Sequence, residues 1–157
     1  EFQTYIKNVL ANAKMLAETL KNNGFKIYSG GTDTHLMLVD LRPFNVKGNL
    51  ASESLSRANI TCNKNGIPFD TEKPMITSGI RLGSQAATTR GFGLKEFEKV
   101  GELITKVIKG LSENPEDNSK VENEVRNEVI NLCSNFPIYK NLNKWSAPYA
   151  RKEKLQL

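Results

Sequence analysis

The chain has one histidine, two cysteines and no long apolar run among its 157 residues. Its cysteines, Cys62 and Cys133, lie far apart without a paired spacing, which favours two free thiols in a reducing cytoplasm over a disulfide framework. A zinc site needs about four ligands, so one histidine and two separate cysteines do not suggest a metal site. No segment approaches the roughly 20 uninterrupted apolar residues of a membrane helix, and we expect no membrane span.

The beginning of the chain carries neither a basic region nor an apolar run, and residue 1 is Glu rather than Met. We therefore expect no signal peptide, and a chain that is a fragment or a processed product. Hydrophobic residues make up 38% and charged residues 25%, proportions typical of a globular protein of about one domain.

The net charge of +5 raises the possibility of a nucleic-acid partner. After Ile138 the chain has five basic residues and one acidic residue, so this tail accounts for four of the five net charges. A basic face built into the fold is therefore not indicated, and we expect no nucleic-acid partner for the body of the domain.

Apolar residues at steps of three and four predict three long helices. Gly24 stands where the first helix needs a left-handed stop, and Gly110 marks the predicted end of the second. A shorter helix is predicted over 49–58 with Asn49 as its cap, and a turn over 88–93. The three long helices are predicted over 1–22, 94–109 and 121–133.

Three strands are predicted between these helices. Two apolar runs at 25–28 and 36–41 flank a Gly-rich turn, which indicates an antiparallel hairpin, and a third strand is predicted over 75–82. The resulting fold class is α+β, with a small antiparallel sheet covered by helices on one face.

Arg81 lies between Ile80 and Leu82 in the third predicted strand. A guanidinium buried there would need a partner, and its planar fork suits a carboxylate held by two parallel hydrogen bonds. The residues alone leave two other interpretations open: an ion pair with an acid of the same domain, or a side chain that points to solvent.

Three further polar positions favour structural roles when taken alone. The polar stretch 63–65 has the composition of a turn. His35 begins an apolar strand and has no visible catalytic partner, and Arg90 could cap a turn or form a salt bridge.

Four segments follow one another in a fixed order. They are Ser-Gly-Gly-Thr-Asp-Thr-His-Leu-Met-Leu-Val-Asp-Leu-Arg at 29–42, Asn-Lys-Asn-Gly-Ile-Pro-Phe-Asp at 63–70, Thr-Ser-Gly-Ile-Arg-Leu-Gly at 77–83 and Ala-Thr-Thr-Arg-Gly-Phe-Gly at 87–93. In this order and spacing they resemble serine hydroxymethyltransferases of the bacterial type. The resemblance runs from about Phe2 to about Tyr139.

This resemblance implies the C-terminal small domain of a fold-type-I pyridoxal-phosphate enzyme. Residues 1–139 would form that domain, with 1–22 as the helix that leads into it, and 140–157 would be a basic tail without an assigned role. The whole enzyme would be a cytoplasmic homodimer that interconverts serine and glycine. It would carry a one-carbon unit to or from tetrahydrofolate as co-substrate, with pyridoxal 5'-phosphate as cofactor.

The resemblance also implies roles for individual residues. Arg81 stands at the position that grips the α-carboxylate of the amino acid, and Asn65 at the position that contacts the reduced folate. Lys73, Pro74 and Met75 match a backbone stretch that lines the folate site, although many relatives carry Ser and Phe in place of Lys73 and Met75. Backbone contacts would survive these changes, whereas side-chain contacts need not.

The family's Thr-Thr-Thr-His-Lys motif, whose lysine binds pyridoxal phosphate, does not occur in the 157 residues. The resemblance therefore implies that the covalent chemistry lies in a large domain outside this chain, and that the chain alone is inactive. Two alternatives stay open: the small domain of a related enzyme that binds no folate, and a non-catalytic module that binds an anionic partner through its basic tail.

Overall fold

The first helix buries one side and exposes the other, as its apolar spacing predicts. The computed structural model describes residues 1–138, and in it α1 spans Phe2–Asn22. Val9, Leu16 and Leu20 of α1 are buried in the core. Gly24 follows the helix with φ of 96°, which confirms the predicted left-handed stop because such a φ costs glycine little.

Four short strands form one antiparallel sheet in the order β1-β2-β4-β3. The adjacent strands β1 and β2 pair along the chain, which confirms the predicted hairpin. The strand bounds are β1 Lys26–Tyr28, β2 Leu36–Asp40, β3 Asn63–Asn65 and β4 Gly79–Gly83.

One face of this sheet packs against the helices and forms one side of the hydrophobic core. Successive side chains of a strand point to opposite faces, and the buried Ile80 and Leu82 of β4 lie opposite the buried Val39 and Met37 of β2. These side chains pack with apolar residues of the helices in a single core cluster. The predicted α+β class, with helices on one face of a small antiparallel sheet, is confirmed.

The remaining helices are α2 Gly48–Arg57, α3 Gln85–Arg90, α4 Leu94–Glu113 and α5 Ser119–Ser134, with a 3-10 turn at Arg42–Phe44. The prediction that α4 ends at Gly110 was wrong. A Cβ at Gly110 would collide with the Asn118 side chain and lie 3.0 Å from Val121. The missing side chain therefore lets the start of α5 approach α4, instead of ending the helix.

Other predicted boundaries also need correction. Asn49 does not cap α2, whose N-cap is Lys47. The third predicted strand begins at Gly79 rather than Met75, because Thr77 has φ of 61° and cannot continue an extended strand. The turn predicted over 88–93 is shorter, since α3 continues to Arg90 before Gly91 takes φ of 111°.

A buried polar cluster ties α2 to the start of α5. Glu122 is 5% exposed and accepts hydrogen bonds from Arg57 Nε and Nη2, each at 2.7 Å, and from Ser54 Oγ at 2.6 Å. The hydrogen bond from Arg57 is the main reason that the pKa of Glu122 is lowered, and it outweighs the opposite effect of burial. These hydrogen bonds therefore stabilise the ionised form of Glu122 relative to its protonated form.

Candidate functional site

Arg81 occupies the face of the sheet that the helices leave uncovered. Ile80 is fully buried and Leu82 is 6% exposed, whereas Arg81 between them is exposed. Of the interpretations that the sequence left open, the exposure of Arg81 favours a side chain that points away from the core, because strand alternation turns it to the opposite face from Ile80 and Leu82. Within residues 1–138 no carboxylate lies within ion-pair distance of Arg81.

A cavity of about 530 Å³ opens beside Arg81. In the sheet register, Arg81 is flanked by Leu38 of β2 on one side and by Asn63 of β3 on the other, so these three side chains share the uncovered face. The wall combines polar and apolar groups, and no lysine belongs to it. The lining residues are His35, Leu36, Thr61, Cys62, Asn63, Arg81, Leu82, Gly83 and Gln85.

Asn65 lies on the same face of the sheet as Arg81. The stretch predicted as a turn is instead the edge strand β3, in which Asn65 pairs with Gly79, two residues before Arg81. Strand pairing uses backbone groups, so three polar residues can form an edge strand without an apolar pattern. Asn65 Nδ2 donates to Gly66 O at 2.8 Å, and no described group donates to its Oδ1.

The loop 66–78 connects β3 to β4 and carries the other sequence-predicted site residues. Lys73, Pro74 and Met75 are all exposed, and the Met75 side chain is 74% exposed. The carbonyl of Lys73 accepts hydrogen bonds from Ile76 N at 2.8 Å and Thr77 N at 3.0 Å. In the described residues, no hydrogen bond joins these side chains to Asn65 or Arg81.

Asp70 organises this loop, a role that we did not predict from the sequence. It accepts four hydrogen bonds, from the backbone of Ile67, Glu72 and Ser78 and from the Ser78 hydroxyl. Burial acts to raise the pKa of Asp70, but these hydrogen bonds outweigh it and lower the pKa to about 2. An Asp inside a Pro-containing loop was the available signal, since short polar side chains often bond nearby backbone N–H groups.

Arg90 has a structural role at the end of α5. Its Nε donates to Phe136 O at 2.5 Å and its Nη2 donates to Cys133 O at 3.0 Å. These bonds join the end of α3 to the end of α5 and to the residues that follow it. The imidazole of His35 differs, because it is exposed beside Arg81 and makes no hydrogen bond to any described residue.

Both cysteines lie in the part of the chain that the structure describes, and Cys62 lines the cavity beside Arg81. Both cysteines are free, as predicted. Burial raises the pKa of the Cys62 thiol to about 11, which keeps it protonated at neutral pH. Over residues 1–138 no group of three potential ligand side chains could hold a metal ion. In the same range no helix has both the length and the apolar character needed to cross a membrane.

Comparison with known proteins places these features in a family. A family model described as "Serine hydroxymethyltransferase" matches residues 1–104. That match includes α1, the whole sheet, Asn65, the loop 66–78 and Arg81.

Individual relatives give the same result over more of the chain. The chain is 88% identical over 142 residues to a protein named "Serine hydroxymethyltransferase" from Pelagibacter ubique (strain HTCC1062), covering 90% of this chain and 33% of that protein. Proteins of the same name from Marinomonas sp. (strain MWYL1) and Paramagnetospirillum magneticum (strain ATCC 700264 / AMB-1) are 64% and 63% identical. These two alignments cover 89% and 88% of this chain and 33% of each relative. The chain therefore spans about a third of the length of the curated relatives that it matches.

Proposed function

Because this chain belongs to the serine hydroxymethyltransferase family, we propose that it supplies the substrate-positioning part of an enzyme that interconverts serine and glycine. Residues 1–139 form the C-terminal small domain of that enzyme. The full-length enzyme transfers a one-carbon unit to or from tetrahydrofolate. The identity of 88% to a relative of that name, over a third of the relative's length, supports this proposal.

The observation that carries the proposal is the position of Arg81. Its guanidinium stands on the uncovered face of the sheet, beside a cavity of about 530 Å³, and no described acid pairs with it. A planar fork with unused donors suits the carboxylate of an amino acid, which can accept two parallel hydrogen bonds. Arg81 thereby fixes serine or glycine by its carboxylate and sets which bond at Cα is presented for reaction.

Asn65 and the loop 66–78 form the folate-binding part of this proposal. Asn65 shares the sheet face of Arg81, two register positions away, so a folate that contacts Asn65 would lie close to an amino acid held by Arg81. The backbone of the exposed residues 73–75 supplies further contacts that do not depend on the side chains of Lys73 and Met75. Proximity of the two substrates is what a transfer reaction requires.

The residues around Arg81 do not fit covalent attachment of pyridoxal phosphate. No lysine lines the cavity, and the cofactor-binding Thr-Thr-Thr-His-Lys motif is absent from the 157 residues. When bound, the cofactor supplies an electron sink for the reacting amino acid. We assign its attachment to the enzyme's own large domain, and propose a cytoplasmic homodimer as the working form.

The experiment that tests this proposal uses the full-length protein that contains these residues. Its conversion of serine to glycine should depend on both pyridoxal phosphate and tetrahydrofolate. Activity with serine that ignores folate would instead favour a related enzyme without a folate site. Salt-sensitive nucleic-acid binding that disappears when residues 140–157 are deleted would favour a binding module.

A further inference from the structure

The loop 66–78 holds two residues in a backbone conformation that their side chains disfavour. Phe69 has φ of 58° and Thr77 has φ of 61°. A bulky or β-branched residue rarely adopts the left-handed region. Such conformations persist only where the surrounding structure holds them, so a strong constraint must act on this loop.

Asp70 supplies that constraint with both carboxylate oxygens. Its Oδ1 accepts hydrogen bonds from Glu72 N at 3.0 Å and from Ser78 Oγ at 2.7 Å. Its Oδ2 accepts from Ile67 N at 3.2 Å and from Ser78 N at 2.9 Å. Because Ile67 follows β3 closely and Ser78 directly precedes β4, one carboxylate joins the two ends of the loop.

A second attachment holds the end of the loop near β4 and does not involve Asp70. The first amides of α2 donate to this end, Gly48 N to Thr77 O and Asn49 N to Ile76 O, both at 2.9 Å. A Cβ at Gly48 would lie 2.5 Å from Gly79 O, so only glycine permits this approach. Loss of Asp70 should therefore release the part of the loop before residue 76 and leave β4 and Arg81 in place.

We infer that Asp70 is a positioning residue for folate binding: its carboxylate holds the 73–75 backbone in a fixed arrangement relative to Asn65. This inference rests on the proposed function, because it assumes that these residues face the folate. A loop that is already ordered loses less conformational entropy when the ligand binds. Asp70 itself is expected to touch neither substrate.

Three substitutions should weaken this constraint to different degrees. Asp70→Ala leaves all four donors without their acceptor. Asp70→Asn can keep three of the four bonds: its side-chain oxygen, at the position of Oδ2, accepts from Ile67 N and Ser78 N, and its amide group donates to Ser78 Oγ. The bond from Glu72 N is lost, because the asparagine then presents an N–H donor to that N–H. Ser78→Ala removes only the hydroxyl bond.

The test compares steady-state kinetics of these variants in the full-length enzyme. We expect the KM for tetrahydrofolate to rise about 10- to 100-fold in Asp70→Ala and several-fold in Asp70→Asn and Ser78→Ala. The KM for serine and the kcat at saturating folate should stay within about twofold of wild type. Glu113→Ala, which removes a negative charge from an exposed position at the end of α4, is the matched control.

Amide hydrogen exchange gives a second measurement on the same variants. Faster exchange limited to residues 67–75 and the amide of Ser78 is expected in Asp70→Ala, with α4 and the strands protected as in wild type. If Asp70→Ala does not fold, Asp70→Asn and Ser78→Ala still carry the test.

The possible results separate this inference from the proposed function. An unchanged folate KM in the Asp70 variants, with a folate-dependent wild type, would overturn the inference alone. Equal rises in the KM for serine and for folate would also overturn it, because they would indicate a general structural role. A wild-type enzyme without folate dependence would overturn the proposed function instead.

Discussion

Replacing Arg81 by lysine separates the shape of the guanidinium from its charge. Lysine keeps the positive charge but cannot present two parallel N–H donors to one carboxylate. Since Arg81 is exposed and pairs with no described acid, the folded chain does not depend on it. We therefore expect Arg81→Lys and Arg81→Ala to change the free energy of unfolding by less than about 0.5 kcal/mol.

The effect on the reaction should be much larger than the effect on stability. Truncating one partner of a charge-assisted, desolvated pair costs about 2–5 kcal/mol, which corresponds to a loss of roughly 30-fold to several thousand-fold in kcat/KM for serine. Arg81→Ala should show this full loss, and Arg81→Lys should still lose at least about 10-fold because one of two hydrogen bonds goes.

The assay is steady-state kinetics of the full-length enzyme, together with thermal unfolding and absorbance of the bound cofactor. Cofactor binding should be unchanged, because we propose that the cofactor is attached outside this chain. Arg126→Lys, an exposed position on α5, is the matched control and should behave as wild type. Wild-type kinetics in Arg81→Lys would refute the bidentate role, and an unfolded Arg81→Ala would indicate a structural ion pair.

Three more results are expected. Asn65→Ala in the full-length enzyme should weaken folate binding by about 1–3 kcal/mol and leave serine binding nearly unchanged; the reverse pattern in a titration would place this strand away from the folate. The 157-residue chain with added pyridoxal phosphate should show no turnover and no stoichiometric lysine adduct after borohydride reduction and peptide mapping, whereas a specific adduct with turnover would contradict the assignment. Because the folded pKa of Glu122 lies below its ordinary value of 4.5, its ionisation stabilises the fold above about pH 4.5, and this stability is lost as the pH falls through the folded pKa. Glu122→Gln should therefore lower the free energy of unfolding at pH 7 and flatten its decline below about pH 4.5, and a decline as steep as in wild type would contradict this linkage.

The helices and the hairpin could be predicted from sequence because their apolar residues follow the period of the element. α1 and the pair β1–β2 are examples, since burial alone decides which side chains face the core. The strand β3 could not be found in this way. Its three polar residues are held by backbone pairing to β4, and backbone pairing leaves no pattern in the side chains.

The site also has residues that could be predicted from the sequence and residues that could not. The motifs identified Arg81 and Asn65 as candidates, but the sequence left the burial of Arg81 open. The apolar neighbours Ile80 and Leu82 do not decide it, because they point to the opposite face of the strand. Asp70 was missed because its four partners are mainly backbone amides, which every residue carries. Gly110 was predicted to end α4, but it is a contact point with the start of α5. The sequence alone does not distinguish a glycine that allows close helix packing from a glycine that ends a helix.

The most direct test of this account is the structure of the full-length protein with glycine and a reduced folate bound. We expect the two terminal nitrogens of Arg81, or one of them with Nε, to lie about 2.7–2.9 Å from the two carboxylate oxygens of glycine, with the folate against Asn65 and the loop 66–78. A glycine carboxylate held by other residues, with Arg81 facing solvent or paired with an acid of its own protein, would contradict the account.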